Sequence, residues 1–102
     1  MKKNVIDQVR SWHGENAERL SKQFEQMSLH SNIDPEQGGA VIEIEAKTFV
    51  ASIAFWNKGD VEVLFLKKGS QDPIDLDDRL LSSDENVSSL LDGYIREILL
   101  LA

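Results

Sequence analysis

The chain has 102 residues, 41% of them hydrophobic, which is enough for one ordinary core and too few for two. It has no cysteine, which excludes disulfides, thiolate zinc sites and cysteine nucleophiles. Its formal net charge of -7, from 11 basic and 18 acidic residues, repels phosphate backbones and anionic lipid, so no nucleic acid and no membrane is expected as a direct partner.

The opening Met1-Lys2-Lys3-Asn4-Val5 is basic but leads into no apolar run of signal-peptide length. No stretch approaches the roughly 20 apolar residues of a membrane span. The expectation is a single domain over residues 1–102 that stays in the cytoplasm where it is made.

In chain order, the first expected element is a helix from Asn4 to Leu29. Val5, Ile6, Val9, Trp12, Leu20, Phe24 and Met27 share one arc at helical spacing. Glu15 with Arg19 and Glu18 with Lys22 form i,i+4 pairs on the outward side, and Gly14 lies opposite the apolar arc. Asn32 and Pro35 end the helix, and residues 31–39 read as a loop.

From Ala40 onward the period becomes alternating. Val41–Glu45 is a strand, with Ile42 and Ile44 on one face. Two further strands, about Thr48–Trp56 and Val61–Leu66, are joined by Asn57-Lys58-Gly59. A three-residue hairpin loop with a left-handed Gly59 sets Phe55 opposite Val61, Ile53 opposite Val63 and Ala51 opposite Phe65, making one face continuously apolar. A one-residue slip would exchange the faces, so burial selects this register. The other face carries Val50, Ser52, Ala54, Trp56, Asp60, Glu62, Leu64 and Leu66, a mixture suited neither to a core nor to open solvent.

Residues 69–82 read as a long acidic connection in which Ile74 and Leu76 could make a short fourth edge strand; Pro73 argues against a central position for it. Ser82 and Glu85 have the spacing of a capping box, and Asp84 adds negative charge at the start of the next helix. That helix buries Val87, Leu90, Leu91, Tyr94, Ile95, Ile98 and Leu99 and pairs Asp92 with Arg96 on its outside. The expected fold is α+β: an N-terminal helix, a three-stranded antiparallel meander, an acidic loop and a C-terminal helix. Two helices cover one sheet face, so the mixed face stays at least partly open.

No catalytic arrangement emerges, and no cofactor or metal is expected. His13 lies within the apolar arc and reads as a packed structural residue. His30, at the expected helix end, suits the helix dipole. Neither has a carboxylate at metal-ligand spacing. Ser82, Ser83, Ser88 and Ser89 flank or begin a helix, where capping explains them. Gly38-Gly39 precedes a strand, unlike a phosphate loop. Asp77-Asp78 would be an acid–base pair only inside a cleft.

Two features point instead to a protein partner. Trp56, at the hairpin tip among small and apolar neighbours, has the profile of an interface anchor, the alternative being that the acidic loop folds back over it. The acidic stretch sets Asp72, Asp75, Asp77, Asp78, Asp84 and Glu85 against the single base Arg79, a concentration of charge that speeds encounter with a basic partner. The candidate partner-binding residues are Glu43, Glu45, Trp56, Asp60, Glu62, Asp72, Asp75, Asp77 and Asp78.

The segment Ala40–Ser70 has a strand ending in Trp56, two residues, Gly59, then a strand running to Gly69. It resembles the middle of several small bacterial immunity proteins. With the leading helix, the Leu80-Leu81-Ser82-Ser83 cap and the closing Leu/Ile helix, the whole chain is most similar to the TriTu family. That resemblance implies a cognate antitoxin of an Rhs-delivered ADP-ribosyltransferase, of the kind carried by type VI secretion, which binds the toxin's C-terminal enzymatic domain 1:1 and blocks it. The family supplies no catalytic residues to carry over. In this picture Asp72, Asp75, Asp77 and Asp78 steer association and Trp56 anchors it. The competing reading is a small acidic type III secretion chaperone, which would bind its effector as a dimer; the chain is short for that role and lacks strands after the second helix. A third reading, a small-ligand or enzymatic domain, would show itself as a thermal shift with NAD, ADP-ribose or a divalent metal.

Overall fold

The computed structural model describes residues 5–32, 38–82 and 85–102. Helix α1 (Val5–Ser21) is followed by strands β1 (Gln26–Asn32), β2 (Gly39–Glu45), β3 (Phe49–Trp56), β4 (Asp60–Lys67) and β5 (Ile74–Leu80), then helix α2 (Val87–Leu101). The strands form one antiparallel sheet in the order β1-β2-β3-β4-β5, each paired with its neighbour in the chain. The α+β class stands, with five strands where three or four were expected.

The sheet's apolar face is the alternate residues Ala40, Ile42 and Ile44, then Phe49, Ala51, Ile53 and Phe55, then Val61, Val63 and Phe65. All are buried with Ile6, Val9, Trp12 and Leu20 of α1 and Val87, Leu91, Tyr94, Ile95 and Ile98 of α2 in a single cluster. Phe49 stacks on Phe65 at 5.0 Å and meets Phe24 edge-on at 6.1 Å, closing the core below α1. Truncating a fully buried member such as Phe55 or Ile53 to alanine would cost about 2–5 kcal/mol.

The β3–β4 hairpin has the expected register, with Phe55 opposite Val61, Ile53 opposite Val63 and Ala51 opposite Phe65. Gly59 sits at φ 97°, a left-handed conformation that glycine adopts without a Cβ clash. The loop is held from both sides: Asn57 N–H donates to the Gly38 carbonyl at 2.9 Å, and Leu81 N–H donates to the Gly59 carbonyl at 2.7 Å.

The first helix is shorter than its apolar spacing implies. It stops at Ser21, whose hydroxyl donates back to the Glu18 carbonyl at 2.9 Å, and Gln23 N–H donates to the Leu20 carbonyl at 2.9 Å. The second bond belongs to the turn that leaves the helix, so Lys22 lies beyond the last helical residue, and Arg19 donates to Asn16 at 2.8 Å. Phe24 is buried in the connection, while Met27 and Leu29 pack on the core from a strand. Asn32 ends β1 rather than a helix, and Pro35 lies outside the described residues.

The acidic connection is likewise more ordered than expected. Ile74–Leu80 is an edge strand on β4, entered directly after Pro73, with a bulge opposite Val63/Leu64. Before α2, Ser82 N–H donates to a Glu85 carboxylate oxygen at 3.2 Å, but the helix begins later. Its N-cap is Asn86, whose side chain accepts from Ser89 N–H at 3.0 Å. Ser83 and Asp84 lie outside the described residues. Asp92 accepts a 2.9 Å bond from Trp12 Nε1, so it joins the two helices instead of pairing with Arg96.

Candidate functional site: the uncovered sheet face

Because side chains alternate along a strand, the sheet face turned away from α1 and α2 is set by register. One row across it reads His30, Val41, Ala54, Glu62, Asp78, and the next reads Ser28, Glu43, Ser52, Leu64, Asp75. The row beyond is Gln26, Glu45, Val50, Leu66. At the opposite end stand Asn32, Gly39 and Trp56, with Asp60 and Leu80 across the hairpin loop. Val50, Trp56, Leu64 and Leu66 are half-buried there, and no helix or further strand among the described residues covers them. The mixed face read from the hairpin continues onto β1 and β5, across a sheet of five strands where three or four were expected.

The face holds two depressions. One, of about 420 Å³, runs from Gln26 and Ser28 on β1 past Glu43, Glu45, Val50, Leu64 and Leu66 to Pro73. The other, of about 590 Å³, lies at the Trp56 end and is bounded by Lys58, Asp60, Glu62, Asp78, Arg79 and Leu80. Leu80 is 69% exposed beside it. Gly39 keeps the Trp56 end tight: a Cβ there would stand 2.8 Å from the Phe55 carbonyl oxygen and 3.1 Å from indole Cδ1 of Trp56.

The acidic residues divide into three groups. In the first depression each carboxylate has a nitrogen-bearing neighbour: Lys68 Nζ lies 3.2 Å from Glu45, and His30 Nε2 lies 3.7 Å from Glu43. At the Trp56 end, Glu62 and Asp78 stand directly opposite each other, with Asp60 one step along. Among the described residues none of these three carboxylates has an ion pair. Like charges across a strand pair repel, so the end is electrostatically incomplete. Asp75 is exposed on the same side, and Asp72 is exposed in the turn before β5.

Asp77 belongs to neither place. It pairs with Val63 and faces the helices, where it accepts the Tyr94 hydroxyl proton at 2.6 Å and Arg79 Nε at 3.0 Å. Arg79 also donates to Glu85 at 2.7 Å. Partial burial raises the Asp77 pKa, but the bonds from Tyr94, Arg79 and the Asp78 amide, with the Arg79 charge, outweigh it and hold the carboxyl below its ordinary value. The Tyr94 hydroxyl is pushed well up, first by burial and then by Asp77. Arg79 is held protonated by Glu85 and Asp77. Asp77 is therefore a structural tie and is withdrawn from the partner-binding set.

The sequence reading missed Gln26, Ser28 and His30 because their segment was assigned to a helix; the alternation of Met27 and Leu29 with Ser28 and His30 is the signal that places them. His13 is half-buried on α1, and its Nε2 has no hydrogen-bond partner among the described residues. No three histidine or carboxylate side chains among the described residues gather as metal ligands, and no described helix is long and apolar enough to cross a membrane. Eight of the sequence-derived candidates, Glu43, Glu45, Trp56, Asp60, Glu62, Asp72, Asp75 and Asp78, lie on or at the border of this one face. Comparison of the chain with protein families, with curated proteins and with solved structures gives no match.

Proposed function

We propose that this chain is an immunity protein that binds the enzymatic domain of a cognate ADP-ribosyltransferase toxin through the uncovered sheet face and occludes its active site. The observation that carries the reading is the Trp56 end, where an indole and an exposed leucine adjoin three carboxylates that have no ion pair among the described residues. An apolar anchor beside three carboxylates, with Lys58 and Arg79 at the border, suits a partner surface of mainly the opposite sign. A cleft that admits a dinucleotide bearing two phosphates offers such a surface. The resemblance of the chain to the TriTu family supports the same assignment.

In this mechanism Trp56 and Leu80 provide the contact that excludes water, while Asp60, Glu62 and Asp78 steer the approach. Asp72 and Asp75 extend the field along the β5 border. The protein performs no chemistry; it denies the toxin its substrate.

The test is calorimetric titration into a catalytically inactive C-terminal domain of the toxin encoded beside this chain. Nanomolar or tighter binding, one toxin domain per protomer, is expected. Trp56→Ala should then weaken it by about thirtyfold or more, the scale of a central aromatic anchor. Asp78→Lys should slow association and flatten its salt dependence, whereas Asp77→Asn should leave association unchanged. Absence of binding overturns the assignment, and a dimer holding one segment of a secreted effector would move it to a chaperone.

A further inference from the structure

The two edges of the sheet are not equivalent. Strand β5 carries Asp75, Asp77, Asp78 and Arg79 and is interrupted by the bulge opposite Val63/Leu64. Charges and bulges of this kind blunt an edge against pairing with another strand. Strand β1 has neither: Gln26-Met27-Ser28-Leu29-His30-Ser31-Asn32 contains no Asp, Glu, Lys or Arg and pairs with β2 in unbroken register along all seven residues. Among the described residues no strand lies beyond it. Met27 and Leu29, which point to the helix side, are only partly buried because the sheet ends there.

We infer that β1 is a strand-pairing edge whose occupant is β1 of a second copy, giving a two-fold dimer with one continuous ten-stranded antiparallel sheet. Charge separates this occupant from the toxin: the sheet face is acidic and suits a basic surface, while the β1 edge is neutral and suits itself. With the two-fold at Leu29, the middle residue of β1, Ser28 faces His30 of the second copy and Met27 faces Ser31. Leu29 meets its own counterpart, which completes the burial of that side.

The net charge of -7 on each copy does not oppose this geometry. On the neighbouring strand, Glu43 and Glu45 of the two copies are three strand spacings apart, about 14 Å, and Glu25, which precedes β1, lies eight residues along the edge from its counterpart, about 26 Å. Both exceed the screening length of about 8 Å at physiological ionic strength. Pairing through β5 would instead bring Asp75 and Asp78 of two copies within one strand spacing of each other. The β1 dimer leaves both Trp56 ends free at its far sides, so the stoichiometry stays one toxin domain per protomer.

Light scattering and sedimentation of the purified protein over a concentration series test the inference. The expected mass is twice the 11.5 kDa of the chain, falling to the single value on dilution. Ser28→Lys with His30→Lys should give the single mass at concentrations where the natural protein is dimeric. Within its own copy position 28 stands opposite Glu43 and position 30 reaches it diagonally, as His30 does at 3.7 Å, so the circular dichroism should not change. As a measurement independent of any variant, the β1 amides of the natural protein should exchange with deuterium more slowly as concentration rises. Asp78→Lys, on the other edge, should leave the dimer intact. A single mass at every concentration overturns the inference, and so does a folded lysine variant that remains dimeric or β1 exchange that ignores concentration.

Discussion

The Tyr94 hydroxyl and the Asp77 carboxylate meet at 2.6 Å, across the join between α2 and the β5 edge strand. A residue that in the sequence belongs to an acidic run thereby becomes the point at which the C-terminal helix holds the sheet. Tyr94→Phe keeps the ring and its 6.5 Å contact with Phe55 but removes the donor. A bond to a charged acceptor of this kind contributes about 1.5–3 kcal/mol. Urea denaturation should show a loss of that size, with binding to the toxin domain unaltered.

The same tie makes stability depend on pH in a defined direction. The Asp77 carboxyl ionises more readily folded than unfolded, its pKa lying below the ordinary 3.8. In acid the unfolded chain therefore binds more protons, and stability falls as pH falls. The contribution is fully present above the ordinary value and is lost as pH drops through the folded one. Asp77→Asn should be less stable than the natural protein at neutral pH, with the gap closing below about pH 4. Denaturant midpoints across that range would show it; a gap that stays constant into acid would remove Asp77 from the account.

Much of this architecture is legible in the residues, and the failures have physical causes. The β3–β4 hairpin is readable because only one register leaves Ala51, Ile53, Phe55, Val61, Val63 and Phe65 on a single face. The end of α1 is not, because Leu20, Phe24 and Met27 keep helical spacing through a turn and into a strand, and no glycine or proline intervenes. What decides there is tertiary: an edge position on β2 lets Met27 and Leu29 reach the core from a strand. The separation of Asp77 from Asp78 was hidden for a related reason. Neighbouring residues on a strand face opposite ways, but only once the strand is known to exist. The acidic, exposed Ile74–Leu80 has no buried face to announce it.

At the Trp56 end, stability and binding should move in opposite directions. Glu62 and Asp78 oppose each other on adjacent strands. Glu62→Gln should raise stability by about 0.2–1 kcal/mol by relieving that repulsion. Under the proposed function it should also slow association with the toxin domain, whose approach Glu62 would steer. Paired chemical denaturation and stopped-flow measurements would register both signs on one variant. A stability gain with an unchanged association rate would separate Glu62 from the binding surface.

Gly39→Ala probes the support of Trp56 without touching the indole itself. The added methyl would stand 2.8 Å from the Phe55 carbonyl oxygen, closer than backbone atoms allow, so the β2–β3 pairing must shift where Trp56 sits. Stability should fall by about 1–3 kcal/mol, the usual range for overpacking. Trp56 fluorescence and toxin affinity should change with it, whereas glycine-to-alanine change at the uncrowded Gly14 should leave both as they are.

Trp12→Phe removes the bond from the indole nitrogen to Asp92 at 2.9 Å, which spans 80 residues of chain. Stability should drop by about 1–3 kcal/mol. The loss should appear in the unfolding rate and leave the folding rate nearly unchanged.

That division of rates follows from the order of the strands. Because each strand pairs only with the one made just before it, the sheet assembles by adding hairpins to a growing edge, and no step must close a long loop. Contacts between the two ends of the chain, such as Trp12 with Asp92, come after that assembly. A chain emerging from synthesis would thus carry its hairpin tip and acidic border in place before its last helix docks.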